Sequence, residues 1–272
     1  MWYAVGVPHV LLDLRMVRGR LHGIARYALE LARRMPALAP DLRFSALVPP
    51  EGLPEGLGEL TPRMPQLRAR AGFLSPFEQP ALAVDLGRVK PDVYHATSFS
   101  LPRFWDGKLV ATLHDANHLA LADQYTPVQS IYYRVVVGPR AQRASALVTV
   151  SEFSREELGK YLKLSPYRLQ VIHNGVDPRF APPTPGEAKE FRERHELPAR
   201  YVAAVGNAKR FKNLELLKHF AADLPVLVVL LAGKGAVAHE LGLHENVLDL
   251  EELPESEMPL FYGAAAALLL PS

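Results

Sequence analysis

Apolar residues along this chain follow two alternating patterns. Short β-rich runs recur, separated by longer segments in which apolar positions repeat every three to four residues, as expected of βαβ units around a mainly parallel sheet. The runs predict strands over Val10–Leu14, Arg43–Val48, Asp92–His95, Leu109–Leu113, Ala146–Val150 and Leu169–Ile172. Between the first two, Ile24, Tyr27, Ala28, Leu31, Ala32 and Met35 stand at helical spacing while Arg26, Glu30, Arg33 and Arg34 mostly face outward. That spacing predicts an amphipathic helix over Ile24–Met35 that covers the sheet. Further helices are expected over Pro76–Val89, Val128–Ala144 and Ser154–Leu162, the last opening on the capping pair Ser154 and Glu157.

The rhythm breaks after Pro178, where Ala181-Pro-Pro-Thr-Pro-Gly186 is rich in turn formers and a short charged helix runs through Phe191 to Pro198. Residues 1–180 are therefore expected to form one complete domain, 181–198 a linker, and 199–272 the start of a second domain. In the second part, strands are predicted over Tyr201–Val205, Val226–Leu231, Asn246–Leu250 and Ala266–Leu270, with helices over Leu214–Ala222 and Met258–Gly263. A free-standing open α/β domain usually has more strands than these four, so the sequence leads us to expect that this half is incomplete at Ser272. A partner or second copy would then cover its apolar surface.

Composition narrows the chemistry. The 272 residues are 49% apolar and 22% charged, the balance of a chain that buries a full core, and 31 Lys and Arg against 29 Asp and Glu leave a net charge of only +2. A nucleic-acid binder would concentrate far more positive charge, so any anion site must be local. Cysteine is absent, which excludes disulfides and thiolate metal sites and fits a reducing, cytoplasmic compartment. The N-terminus does not read as a signal peptide, and the longest apolar stretch, around Pro225–Ala232, is far shorter than the roughly 20 residues of a membrane-spanning helix. The basic, irregular segment Arg63–Phe77 can meet a membrane surface or an acidic acceptor, the ordinary alternative being a solvated loop.

Candidate binding residues cluster after predicted strands, where open α/β sheets hold their ligands. After the first strand, Arg18-Gly19-Arg20-Leu21-His22-Gly23 leads directly into a helix, so that backbone N–H groups near Gly23 can cradle a phosphate; the alternative is a flexible turn. His114 ends Val110-Ala-Thr-Leu-His114, where it can donate to a sugar hydroxyl or phosphate, or be satisfied by a backbone carbonyl. His95 reads as structural and His173 as part of a hinge. The stretch Val205-Gly-Asn-Ala-Lys-Arg-Phe-Lys-Asn213 offers Gly206 for close backbone approach, with Lys209, Arg210 and Lys212 to neutralise a pyrophosphate; a solvated charge run is the alternative. Neither H-E-x-x-H, nor paired carboxylates at a strand end, nor a G-x-S-x-G elbow occurs, so no metal site or cofactor is expected and acyl-transfer hydrolysis has no support.

Taken in order, Val10–Arg15 with Gly23–Tyr27, then Leu113–Asp115, Val148–Ser154, His173–Asp177 and Gly206–Asn213 resemble the motifs of family 4 glycosyltransferases, the retaining group with the GT-B pair of Rossmann-like domains. The resemblance spans nearly all of the chain. It implies an α/β fold of GT-B type and a hexosyltransferase that is metal-independent and retains configuration. Its donor, a nucleotide-sugar, would lie in the cleft between domains, and its acceptor would be a glycan, a lipid-linked or a small molecule, with the enzyme cytoplasmic and peripheral at the inner membrane face. It further implies Gly23 near the diphosphate and His114 beside the transferred sugar. In the second domain Gly206, Asn207, Lys209, Arg210 and Lys212 would hold the diphosphate, with Lys212 stabilising the leaving nucleotide, and the backbone around Leu250 would meet the base. The lead-in Leu268–Ser272 resembles the approach to the family's E-x7-E segment, so the chain is expected to stop before those carboxylates. Two other readings remain at this point: a non-catalytic chain that binds acceptor or partner through its first domain, and a GT-B sugar-nucleotide epimerase.

Overall fold

A computed structural model describes residues 6–19, 22–55, 60–124, 126–206, 209–232, 237–250 and 252–271. The chain divides into two compact units, residues 1–174 and 175–272. The first is a seven-stranded parallel sheet built from β1 (His9–Asp13), β2 (Arg43–Val48), β3 (Gln66–Arg68), β4 (Val93–Ala96), β5 (Lys108–Thr112), β6 (Ala146–Thr149) and β7 (Leu169–Val171), ordered β3-β2-β1-β4-β5-β6-β7. Its helices are α1 (Gly23–Leu38), α2 (Glu78–Val89), α3 (Asn117–Ala120), α4 (Pro127–Tyr132), α5 (Gly138–Arg143) and α6 (Glu152–Leu162). Strand order reverses between β1 and β4, so the natural ligand crevice of this sheet lies beyond their C-terminal ends.

Burial of both sheet faces explains why the strands read as continuous apolar runs. Val10, Leu12 and Leu14 join Ala25, Ala28, Leu29 and Ala32 of α1 in one cluster. Leu11, between them, packs on the opposite face with Tyr94, Leu109, Leu147 and the inner sides of α2, α5 and α6. This is the period-two alternation of a strand with a helix layer on each side.

The expected strands are present to within a residue or two at each end, and three local expectations need correction. The segment read as irregular, residues 63–77, contains β3, whose Leu67 pairs with Leu47 of β2. The helix expected over Val128–Ala144 is interrupted by a π-helical stretch, Tyr133–Val137, and the Gly138 N–H reaches back five residues to the Tyr133 carbonyl. Pro139 has no N–H and its ring crowds the carbonyl four residues earlier, which favours the wider turn at this point. Helix α6 is capped by Ser151, whose Oγ accepts from the Ser154 N–H at 3.0 Å, so Ser154 is the third helical residue and not the cap.

The second unit carries a four-stranded parallel sheet of β8 (Tyr201–Val205), β9 (Leu227–Leu231), β10 (Val247–Asp249) and β11 (Ala267–Leu269), ordered β10-β9-β8-β11 among the described residues. Its helices are α7 (Pro185–Arg194), α8 (Leu217–Phe220), α9 (Val237–Glu240) and α10 (Met258–Gly263). Tyr201, Ala203, Val229 and Leu231 face Ala188 and Phe191 of α7 and Phe261 of α10. Ala204, Val228 and Leu230 face Leu214, Leu217 and Ala221 on the other side. The helix expected over Leu214–Ala222 is split into 3-10 turns either side of α8, and the Asn246 side-chain amide donates to the carbonyls of Ala221, Leu224 and Val226 that follow it.

The stretch taken as a linker, 181–198, belongs to the second unit. Thr184 caps α7, accepting from the Glu187 N–H while the Glu187 carboxylate accepts from the Thr184 N–H, and Arg194 and His195 both reach Glu257. The unit boundary accordingly lies at 174/175, earlier than the expected 180. Phe191 is fully buried, so Phe191→Ala should cost about 3–5 kcal/mol. Hydrogen-exchange mass spectrometry should show faster exchange in β8 and β9 with β1 to β7 unchanged; unchanged exchange in β8 and β9 would place α7 outside that core.

Candidate functional site

In the first unit the C-terminal ends of β1, β4 and β5 gather a polar cluster. His114 follows β5, and its Nε2–H donates to the Thr97 carbonyl beyond β4 at 3.0 Å. That bond fixes the neutral tautomer, leaving the lone pair on Nδ1. Tyr27 of α1 packs edge-on to the His114 ring, with centroids 4.8 Å apart, and its hydroxyl meets Thr112 Oγ1 at 3.1 Å. His95 Nε2 shares the same Thr112 hydroxyl at 3.0 Å. Burial lowers the His114 pKa, against the opposing pull of the Thr97 carbonyl and Asp115, and nearby His22 lowers it further. Of the two alternatives left open for His114, the backbone carbonyl is the one its N–H meets; no N–H is left to donate to a sugar or phosphate, and the other nitrogen is an acceptor.

His22 caps α1, its Nδ1 accepting from the Ala25 N–H, and Gly23 is the first helical residue. Among the described residues, its chain neighbours and the helix's own backbone aside, no atom lies within 4 Å of where a Gly23 side chain would stand, which leaves space beside the helix start. Tyr27, the fifth residue of the same helix, packs on the His114 ring, so this helix start and His114 share one end of the sheet.

Sequence reasoning missed the buried network beneath them. Arg15, only 1% exposed, donates through Nε and Nη2 to the Asp13 carboxylate at 2.9 and 2.7 Å, through Nη1 to Glu78 at 3.1 Å, and through Nη2 to Ser100 at 3.1 Å. Tyr94 donates its hydroxyl to Asp13 at 2.7 Å, and Ser100 donates to Glu78 at 2.6 Å. Thr97 donates its hydroxyl to the Asp13 carbonyl, which carries the network to the residue that holds His114. Burial by itself would pull the Arg15 guanidinium down, but Asp13, Tyr94 and Glu78 more than offset it, and it stays charged. The available signal was an aspartate ending a strand of otherwise apolar residues with an arginine two positions later.

In the second unit, β8 leads into residues 206–213. A Cβ on Gly206 would come within 3.2 Å of the Leu214 methyl carbons, so glycine here serves close packing inside the loop. Arg210, Phe211 and Lys212 form a 3-10 turn closed by Asn213 at φ 50°. The Lys209 and Lys212 ammonium groups lie 5.8 and 5.7 Å from the Phe211 ring centroid, so both cations are collected about one aromatic side chain. Asn213 donates to the Pro271 carbonyl at 3.1 Å, tying the loop to the segment after β11, at the reversal of strand order. Asn207 lies outside the described residues. Leu250 follows β10, two strands from β8, and both its backbone groups are engaged, the N–H with Leu230 and the carbonyl with Glu252. Its side chain packs against the core, so only the second lone pair of the carbonyl remains for a ligand. Among the described residues no three His, Asp or Glu side chains gather as a metal site, and no helix is long and apolar enough to cross a membrane.

Known proteins give this geometry a context. The sequence profile described as Glycosyltransferase Family 4 matches residues 21–180, more than half of the chain. The D-inositol 3-phosphate glycosyltransferase of Mycobacterium sp. (strain KMS) is 30% identical over 188 residues, covering 62% of this chain and 42% of the relative, so the chain spans well under half of that relative's length. The O-antigen chain mannosyltransferase B of Escherichia coli is 23% identical over 280 residues, covering 93% of this chain and 73% of that one. Among solved structures, Anabaena HepE in complex with UDP and glucose superposes with a TM-score of 0.71 at 16% identity, over 96% of this chain and 73% of HepE. A glycosyltransferase from Rickettsia africae ESF-5 gives 0.61 at 14% identity, over 97% and 72%. These likenesses support the expected fold class, α/β of GT-B type.

Two outcomes test the energetics. Arg15→Met leaves Asp13 and Glu78 buried without their counter-ion and should cost about 3–5 kcal/mol in urea unfolding; a loss below about 1 kcal/mol would mean the network adds no net constraint. His95 is buried and its pKa is lowered to about 4, so the folded state resists a proton that the unfolded chain accepts near 6.5. Its contribution is complete above about pH 6.5 and is lost as pH falls towards 4, up to about 3 kcal/mol. Urea midpoints between pH 7 and 4.5 should therefore fall less steeply in His95→Gln; equal slopes would remove His95 as the cause.

Proposed function

The chain belongs to glycosyltransferase family 4, and from that premise we propose that it moves a hexose from a nucleotide-sugar donor to a glycan, lipid-linked or small-molecule acceptor, with retention of configuration and without a metal. The observation that carries this reading is the loop after β8, where Lys209, Arg210 and Lys212 stand at the strand-order reversal of a parallel sheet. Two ammonium groups and a guanidinium there suit a diphosphate, and charge growing on the departing nucleoside diphosphate is the charge they would stabilise. The names of the relatives, an inositol-phosphate glycosyltransferase and a mannosyltransferase, support sugar transfer, and the UDP and glucose bound by HepE support a nucleoside diphosphate as first probe.

In the first unit His114 contributes as a neutral imidazole. With Nε2–H held by Thr97, its free Nδ1 accepts from a sugar hydroxyl and does not donate to phosphate. The open helix start at Gly23 offers backbone N–H groups of a 16-residue helix to a phosphate oxygen. No protein nucleophile is assigned. The lack of cysteine fits a cytoplasmic site of action.

Isothermal titration with UDP and with GDP, both with a chelator present, tests the reading. One of the two should bind, and Lys212→Ala should weaken it by roughly tenfold, the worth of about one charge-assisted hydrogen bond. Absence of heat with either nucleotide, or an unaltered affinity in Lys212→Ala, would falsify the assignment of the loop.

A further inference from the structure

The end of β5 carries a second polar side chain that the chemistry above leaves unused. Asp115 follows His114 just beyond Thr112, the last residue of the strand, and is half-buried. Its Oδ1 accepts from the Asn117 N–H at 3.0 Å, closing the turn that leads into α3. Among the described residues this is its one hydrogen bond, and no lysine or arginine pairs with it. Closing the turn does not explain the charge. Asparagine or serine accepts equally well from an N–H two residues on, and α3 is a single turn with little dipole to favour an acid. The buried carboxylates of this unit are treated differently: Asp13 and Glu78 are paired with Arg15, and Asp85 with Arg70.

His114 has the same polarity as its neighbour. With its Nε2–H given to the Thr97 carbonyl, it presents a lone pair on Nδ1. Two consecutive side chains at the C-terminal end of the sheet therefore offer acceptors and no proton. A hydroxyl satisfies such a pair. A phosphate or a carboxylate brings only further lone pairs and a like charge, to a place where partial burial weakens screening. An ammonium group gains little from one half-exposed carboxylate. The start of α1, on the same end of the sheet, has the opposite polarity, so anions and hydroxyls are sorted to different elements.

We propose that Asp115 sets the class of acceptor: its carboxylate accepts from a hydroxyl that takes no part in bond making, and it turns away acceptors that carry a phosphate or carboxylate at that position. The acceptor is then a neutral, polyhydroxylated sugar where it meets β5. This inference rests on the proposed glycosyltransferase reading and narrows it. The donor brings its own anionic groups to the cations after β8 on that reading, so the acceptor is the substrate whose charge was left open. A site built to take a hydroxyl discriminates strongly, because an unmatched group leaves the protein's polar atoms without partners.

Nuclear magnetic resonance of the full chain, with isotopically labelled histidine and loaded with whichever of UDP and GDP binds, tests it. Methyl α-mannoside and methyl α-glucoside are titrated against the His114 imidazole signal, identified by its loss in His114→Gln, with mannose 6-phosphate and glucose 6-phosphate as anionic counterparts. The neutral sugars should shift that signal, and the sugar phosphates should bind at least roughly tenfold more weakly. Asp115→Asn keeps an acceptor for the Asn117 N–H; it should weaken the neutral sugars roughly tenfold and abolish their preference over the phosphates. Asp115→Ser should do the same, with the circular dichroism of both variants unchanged. Equal or tighter binding of the sugar phosphates by the unaltered chain, no response to either neutral sugar, or a preference that survives in both variants would overturn the proposal. If neither UDP nor GDP binds, the glycosyltransferase reading fails and the role of Asp115 with it. Nucleotide binding without discrimination between the sugars removes the role of Asp115 alone.

Discussion

Arg15 is the constraint on which the first unit's ligand-facing end depends. A parallel strand covered on both sides has no water at its tip, so the polar groups that end β1 must find their partners within the protein. Asp13 and Arg15 do so by enlisting Glu78 at the start of α2, Tyr94 on β4 and Ser100 in the loop after β4. One guanidinium therefore holds the ends of two neighbouring strands and the helix packed beside them. Such a cluster stabilises the unit little relative to an apolar core of the same shape, but removing one member strands the others without solvent. Its structural effect is to make the strand-order reversal between β1 and β4 a rigid place.

From there the constraint passes outward one bond at a time. Thr97 is fixed by the Asp13 carbonyl, His114 by the Thr97 carbonyl, and the edge of Tyr27 by the His114 ring. The imidazole consequently has a set orientation and a set tautomer before any ligand arrives, which is how a site avoids losing binding energy to reorganisation. The second unit is arranged differently. Lys209 and Arg210 are exposed and Lys212 half-buried after β8, in a loop shaped by a 3-10 turn, by Phe211 and by the bond from Asn213 to the Pro271 carbonyl. An exposed ammonium group keeps its charge and can follow a mobile phosphate, while a buried imidazole suits a hydroxyl whose position is fixed.

How much of this was legible follows from the range of each interaction. The strands could be read because two-sided burial makes each of them a short apolar run, and β8 and β9 could be read for the same reason. Helix continuity was less legible, since Pro139 acts on a carbonyl four residues back and Asn246 caps a segment from 25 residues away. Strand β3 was missed because only Leu67 of its three residues is apolar, and an edge strand needs no second covered face. The Arg15–Glu78 pair joins positions 63 apart, which no local pattern contains, so the network stayed hidden while His114, a lone histidine after a strand, stood out. The helix α7 looked like a linker because its prolines and charges dominate its composition, yet Ala188 and the fully buried Phe191 join it to the second core.

The tautomer of His114 limits what that residue can do. A neutral ring whose Nε2–H is committed to a carbonyl has no proton to give, and burial together with nearby His22 opposes a second one. On the proposed reading, negative charge is stabilised in the second unit by the cations after β8, while the first unit offers backbone N–H groups at the start of α1. Those two sources differ in kind. Backbone groups are fixed partial charges that neither titrate nor move, and they favour a phosphate without distinguishing its charge states strongly. Full cations on flexible stems respond in proportion to the charge that develops, so on the proposed reading the gain specific to the departing diphosphate arises at Lys209, Arg210 and Lys212.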